Sequence, residues 1–302
     1  MTTYFSGVNS NKNVGVFGIN YLDKTLYGIG KGDLILIGSR SGAGKSTIAN
    51  SIAIKNRNRC KVSLFSLENF EDDLEMHVGY LKFLELTKRY DVSERAFMQG
   101  GANSLMTEEI VNEIDSAMDV AFKGLHVFHR QPNFTIEKLV DAMMKEKEAG
   151  CELLIIDHLD YVEKDAYDLN DNIHQTMLMK TIRQVQDETK MAVVAISHLR
   201  KPMFGQKLFK IPSMDEFIGS SNKVKEATVV IMFAPDDEMN ELSTTSARKA
   251  TFCCIRKNRF GGFRNEAARL YYDLKRGQYE DAYEVLSVNY TGSEIKELRN
   301  EI

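Results

Sequence analysis

From about Val14 onward, short apolar runs alternate with longer amphipathic stretches. That rhythm predicts an α/β fold, with a mostly parallel central sheet and helices on both faces. The runs that read as strands are 34–37, 62–66, 125–128, 153–156, 193–196, 229–233, 251–255 and 270–272. Apolar residues at helical spacing predict helices over 45–55, 70–86, 93–98, 108–122, 136–149 and 173–189. The helix at Ile136 carries clear punctuation. Thr135 is in place to cap it, Gly150 to close it, and Leu139, Val140 and Met143 lie on one face. The polar opening lacks periodicity and reads as a flexible arm, and the charged tail over 291–302 reads as a short exposed helix. No Gly/Ser linker or internal repeat divides the chain. The organisation is therefore an arm over 1–16, one core over 17–278 and a C-terminal appendage over 279–302.

With 302 residues, 43% apolar and 27% charged, the composition is that of a globular protein rather than a disordered or fibrous one. Lys and Arg total 39 against 43 Asp and Glu, a net charge of −4 that excludes a wholly basic surface. Any contact with nucleic acid must come from local basic clusters, because phosphate is neutralised at the groove and not by the molecular average. Cys60, Cys151, Cys253 and Cys254 lack metal-site or disulfide-framework spacing and point to a reducing compartment. The apolar runs fall far short of the roughly 20 residues that span a bilayer. The expectation is a cytoplasmic protein with no membrane partner.

The most specific signal follows the first strand. Leu34-Ile35-Leu36-Ile37 runs into Gly38-Ser39-Arg40-Ser41-Gly42-Ala43-Gly44-Lys45-Ser46-Thr47 and then a helix bearing Ile48, Ile52 and Ile54. Strand, glycine-rich loop, helix is the order that wraps backbone N–H groups around a phosphate chain at a helix N-terminus. Ser41, Gly42, Ala43, Gly44, Lys45, Ser46 and Thr47 form the cradle of an ATP site. Lys45 supplies charge to the β- and γ-phosphates, and the Ser46 hydroxyl supplies a ligand for Mg²⁺. One position departs from the strict phosphate-loop pattern: its first glycine is replaced by Ser39, with Gly38 one residue earlier.

The metal needs a second oxygen ligand at the end of a neighbouring strand, and Asp157 closes Leu153-Leu154-Ile155-Ile156. Glu68, after Phe65-Ser66-Leu67, stands at the same end of the sheet, where a carboxylate can activate water. His198 follows the 193–196 strand and is positioned to sense the γ-phosphate by hydrogen bonding.

In this order the motifs resemble the DnaB-type hexameric replicative helicases, RecA-like ATPases, and within them the helicase domains of phage primase-helicases. The likeness extends from about Gly18 to Tyr272. Leu67-Glu68 is similar to the family's catalytic-glutamate step, Ile155-Ile156-Asp157-His158-Leu159 to its Walker B element, and Ser197-His198-Leu199-Arg200-Lys201-Pro202 to its phosphate sensor. Lys257-Asn258-Arg259-Phe260-Gly261-Gly262 is similar to its finger, which implies that Lys257 and Arg259 reach the ATP of a neighbouring subunit. The stretch beginning Gly219-Ser220 is similar to its central DNA-binding loop.

The resemblance thus implies an ATP-dependent DNA helicase or translocase working as a homo-oligomer, a hexameric ring, on single-stranded DNA. Arg200, Lys201, Lys207 and Lys210 on one segment, with Ser220, Ser221, Asn222, Lys223 and Lys225 on the next, are the expected strand-gripping residues. It also widens the expected setting to a phage-infected host or a DNA-containing organelle. Family members carry an N-terminal collar, whereas only residues 1–33 precede the first strand here; the corresponding expectation is a partner chain in its place. Two other functions fit the same residues: a recombination or loading ATPase that binds single strands without unwinding, and a scaffold whose assembly depends on nucleotide.

Overall fold

Strands that are apolar at every position, as 34–37 and 153–156 are, need cover on both faces. The computed structural model provides it. The structure describes residues 13–68, 73–164, 170–200, 209–217, 220–242, 248–261, 266–288 and 295–301, without side-chain detail at 220–222, 242 and 295–301. Its elements run β1 (Asn13–Gly15), α1 (Asn20–Leu26), β2 (Ile29–Gly30), β3 (Leu34–Ser39), α2 (Lys45–Asn56), β4 (Val62–Ser66), α3 (Asp73–Thr87), α4 (Glu94–Met98), α5 (Glu108–Phe122), β5 (Leu125–His129) and α6 (Ile136–Glu148). They continue with β6 (Leu153–Asp157), α7 (Asp171–Thr189), β7 (Ala192–His198), α8 (Ser220–Glu226), β8 (Val229–Pro235), α9 (Asp237–Leu242), β9 (Arg248–Asn258), β10 (Glu266–Asp273), β11 (Gln278–Val288) and β12 (Ile295–Glu301).

Ten of these strands form one sheet in the order β12-β11-β10-β9-β8-β3-β7-β6-β4-β5. The six from β8 to β5 are parallel, and β9 to β12 extend the sheet by antiparallel pairing. Each face has its own core. Ile35 and Ile37 pack with Ile48, Ile52 and Ala53 of α2 and Leu22 of α1, while Leu34 and Leu36 pack with Leu139 and Met143 of α6 and Leu178 and Ile182 of α7. Every second side chain of one strand thus serves a different layer.

Two local expectations are corrected. The 291–302 tail is not a helix over its described part, because residues 295–301 are β12, pairing with β11 from Tyr283 to Val288. An edge strand leaves a row of unsatisfied backbone groups, and β12 takes them up on β11. The appendage expected over 279–302 therefore carries the core sheet outward. Thr135 stands at the N-cap of α6 but makes no side-chain cap hydrogen bond; Gly150 does turn the chain out of the helix at φ +91°. The arm over 1–16 lies outside the described residues up to residue 12.

Candidate functional site

The sheet sets the site by register. Ser39 at the end of β3 is level with His198 at the end of β7, and Ser66 at the end of β4 is level with Asp157 at the end of β6. Four chain segments therefore release their polar residues at one edge, the carboxyl end of parallel strands. Gly42 and Gly44 adopt φ of +83° and +78°, a left-handed backbone that Gly takes without strain and that turns the loop onto α2 at Lys45.

The loop's missing first glycine has a packing explanation. Ser39 is buried, and its hydroxyl donates to the carbonyl of Arg40 at 3.2 Å. Gly38 is the position that must stay small, since a Cβ there would lie 2.5 Å from the Phe217 ring. Arg40 turns away from the cradle. Its guanidinium forms a two-pronged pair with Glu216, at 3.0 and 2.8 Å, and donates to the Phe209 carbonyl at 2.6 Å.

Asp157 is 2% exposed and accepts a hydrogen bond from Ser46. Burial raises its pKa, the Ser46 bond and the positive charge nearby working the other way. Its Oδ1 is buried with no hydrogen-bond partner among the described residues. A hydroxyl beside an orphaned carboxylate oxygen is a donor set that suits a hard cation such as Mg²⁺. Burial lowers the pKa of Lys45, against the opposing pull of Glu68, Asp157 and Asp160.

Glu68 is held by two groups that follow Asp157 in sequence: its Oε2 lies 3.1 Å from His158 Nε2, and the Tyr161 hydroxyl donates to its carboxylate. His158 Nε2 is also 2.7 Å from His198 Nε2, with the rings nearly perpendicular. Burial, with the charges of His158 and Lys45, brings the His198 pKa down to about 4. At neutral pH it is an uncharged hydrogen-bonding group. Lys45, Ser46, Glu68, Asp157 and His198, expected to work together, are gathered at this one edge.

Lys257 and Arg259 are elsewhere. Lys257 is opposite Val230 near the amino end of β8, whereas the phosphate loop leaves β3 opposite Phe233. Three residues of strand, about 10 Å, separate those levels, and the two basic residues point back to the carboxyl end of α8. Lys257 Nζ donates to the carbonyls of Val224 and Lys225 at 2.6 and 3.0 Å, and Arg259 donates to that of Lys225 at 3.0 Å.

The expected strand-gripping residues divide. Arg200 and Lys225 are exposed. Lys210 is paired with Glu238 at 2.6 Å. Lys201 and Lys207 lie outside the described residues, and Ser220, Ser221 and Asn222 begin α8 with side chains that lie outside them too. Lys223 is a correction: its side chain is fully buried, with Nζ 2.7 Å from Ser197 Oγ and 3.3 Å from Asp160 Oδ1. Packing of α8 against α7 and the end of β7 turns it inward, away from any strand.

Residues 16–281 match the family described as DnaB-like helicase C terminal domain. The chain belongs to that family. It is 23% identical over 226 residues to the replicative DNA helicase DnaC of Bacillus subtilis (strain 168), spanning 73% of this chain and 47% of that protein. With the replicative DNA helicase DnaB of Geobacillus stearothermophilus it is 21% identical over 229 residues, 74% of this chain and 48% of the other. The chain thus spans about half the length of these curated relatives. Among solved structures, the fold matches the ATPase domain of a phage helicase with a TM-score of 0.71 at 16% identity, over 99% of this chain and 96% of that one. It matches a DnaB-like replicative helicase, from a structure describing its interactions with primase, with a TM-score of 0.74 at 16% identity, over 92% and 68%. The RecA-like fold is shared.

Within this DnaB-like domain, His158, Asp160 and Tyr161 were missed as site residues from sequence alone. Their signal was available: they immediately follow Asp157 at a strand end, where short-range chain reversal returns side chains to the same edge.

Proposed function

We propose that this chain is the motor of a replicative DNA helicase, a Mg-ATP-hydrolysing ring, hexameric in the family's manner, that moves on single-stranded DNA. The observation that carries the reading is the convergence of Lys45, Ser46, Asp157, Glu68 and His198 at the carboxyl ends of adjacent parallel strands. Lys45 and the loop N–H groups bind the phosphates, while Ser46 and Asp157 hold Mg²⁺. The cation, when bound, neutralises charge on the phosphate oxygens. Glu68, oriented by His158 and Tyr161, takes the proton of the attacking water. His198, neutral, hydrogen-bonds the terminal phosphate. A cleft of about 800 Å³ begins at Thr47 and Asn50 and is walled by Tyr90, Tyr272, Lys275 and Arg276; its aromatic and cationic lining suits the nucleoside half of the ligand.

Lys257 and Arg259 stand at the other end of the sheet from their own phosphate loop, so their charge serves the site of an adjacent copy. That supports assembly as part of the active site. Arg200 and Lys225, with Lys201 and Lys207, are the charges proposed to track a DNA backbone. Among the described residues no helix is long and apolar enough to cross a membrane.

The test is ATP hydrolysis with and without single-stranded oligonucleotide, paired with unwinding of a forked duplex. The reading expects stimulation and strand separation. Stimulation without separation would transfer the chain to the loading ATPases, and nucleotide-dependent assembly without turnover would leave it a scaffold.

A further inference from the structure

A buried ammonium costs free energy unless it is paired, and a pair of this kind is weak evidence for stability. Lys223 is such a group, and what it joins is informative. On one side, Asp160 accepts the backbone N–H of His198 at 2.8 Å and lies 3.4 Å from His158 Nδ1, the ring whose other nitrogen meets Glu68 and His198. Ser197, the next partner of Lys223, immediately precedes His198 and is itself 3.3 Å from both oxygens of Asp160. On the other side, Lys223 belongs to α8, the helix whose last carbonyls hold Lys257 and Arg259 and whose surface carries exposed Lys225.

We infer that Lys223 is a positioning residue, an internal strut that makes α8 follow the phosphate-sensing end of the nucleotide site. The proposal rests on the motor reading above for the meaning of the two ends. A ligand against His198 displaces the end of β7 and the Asp160 carboxylate together, because one bonds the other. Lys223 passes that displacement to α8. The helix then moves Lys225 and the carbonyl seat of Lys257 and Arg259 as one piece. Nucleotide occupancy in one copy thereby sets both its own strand-facing segment and the charges it offers to the next copy. The two sites are coupled through one buried side chain, and by linkage the coupling runs in both directions.

The experiment uses the whole chain, with Lys223→Met, Asp160→Asn and the double variant, which removes both charges together and keeps the pocket filled. Amide exchange of 220–226 is followed by mass spectrometry with and without Mg²⁺ and a non-hydrolysable ATP analogue, alongside analogue affinity and thermal melting. In the unmodified chain the analogue is expected to slow exchange in α8 by about 10-fold, and in the variants by less than about 2-fold, with analogue affinity retained. If Lys223→Met fails to fold, the double variant decides. An α8 response that persists in the folded variants overturns the strut, as does an unmodified α8 indifferent to nucleotide. A second arm measures stimulation of hydrolysis by oligonucleotide. Absence of stimulation in the unmodified chain, with the Lys223-dependent α8 response intact, removes the motor reading and leaves the strut. Stimulation that survives in the variants does the reverse.

Discussion

Glu68 and His198 occupy one small space in different electrical states, and the difference is set by what surrounds each. Glu68 is about one-third exposed and touches the His158 ring and the Tyr161 hydroxyl, so its carboxylate is oriented without being sealed from water. Glu68→Gln keeps the shape and removes the base; hydrolysis should fall by about 10²-fold or more while nucleotide affinity changes little. Equal loss of affinity and turnover in a binding and rate assay would contradict that assignment. His198 titrates at about 4 against an ordinary 6.5. Between those values the unfolded chain binds a proton that the folded chain refuses, so stability rises with pH across that window and this contribution is flat above it. Urea midpoints at both ends of the window should show a smaller slope for His198→Asn than for the unmodified protein, and an unchanged slope would place the titration elsewhere.

Lys45, Asp157, Glu68 and His198 were legible in sequence because each stands where an apolar run stops, and parallel strands bring such stops to one edge. Lys223 was not. Its neighbours Ser220, Ser221, Asn222 and Lys225 give the composition of a solvated loop, and only the packing of α8 against the end of β7 decides that one of these cations is enclosed. Local composition reports average exposure along a segment, whereas burial of a single side chain depends on a partner about 60 residues away, as Asp160 is.

At the scale of elements, the apolar runs located all the parallel strands, and the helices of the core came within a few residues of their bounds. Elements whose pattern is diluted by polar residues escaped: α1, α8, α9, β11 and β12. The strand β11 alternates buried Tyr279, Tyr283 and Val285 with charged positions, but Asp281 and the interleaved acids mask its period. Contact between elements also explains the departure in the phosphate loop. Gly38 is kept bare by Phe217 from the segment before α8, so Gly38→Ala should destabilise the fold by about 1–3 kcal/mol through overpacking. A denaturation midpoint equal to the unmodified protein's would show that the ring yields freely. At the far end of the sheet, Arg259→Ala removes a charge that lies outside its own nucleotide site. Turnover should fall by about 10³-fold with nucleotide binding preserved; undiminished turnover would exclude it from any active site.

Across the whole molecule, the sheet keeps the phosphate loop and the Lys257–Arg259 turn at different levels, and a single copy cannot bring them together without breaking strand pairing. Head-to-tail repetition of the chain meets that constraint, since each copy then offers its basic turn to the next copy's loop. A lone copy holds the base, the metal ligands and the sensor but lacks the charge that neutralises the transition state. α8 lies between these regions, bonded to both through Lys223 on one side and its terminal carbonyls on the other. The phosphate site, the strand-facing segment and the intersubunit charge are thereby parts of one connected frame.

The most direct test of a site built by two copies is complementation between two inactive proteins. Lys45→Ala lacks the phosphate-binding ammonium and Arg259→Ala lacks the charge offered outward, so each alone should be nearly idle. Mixed in equal amounts and allowed to reassemble, about a quarter of the interfaces would pair an intact Lys45 with an intact Arg259 from the neighbour. Hydrolysis recovering to that order is the predicted result; a mixture as inactive as its two components, although assembled together, would contradict the shared site.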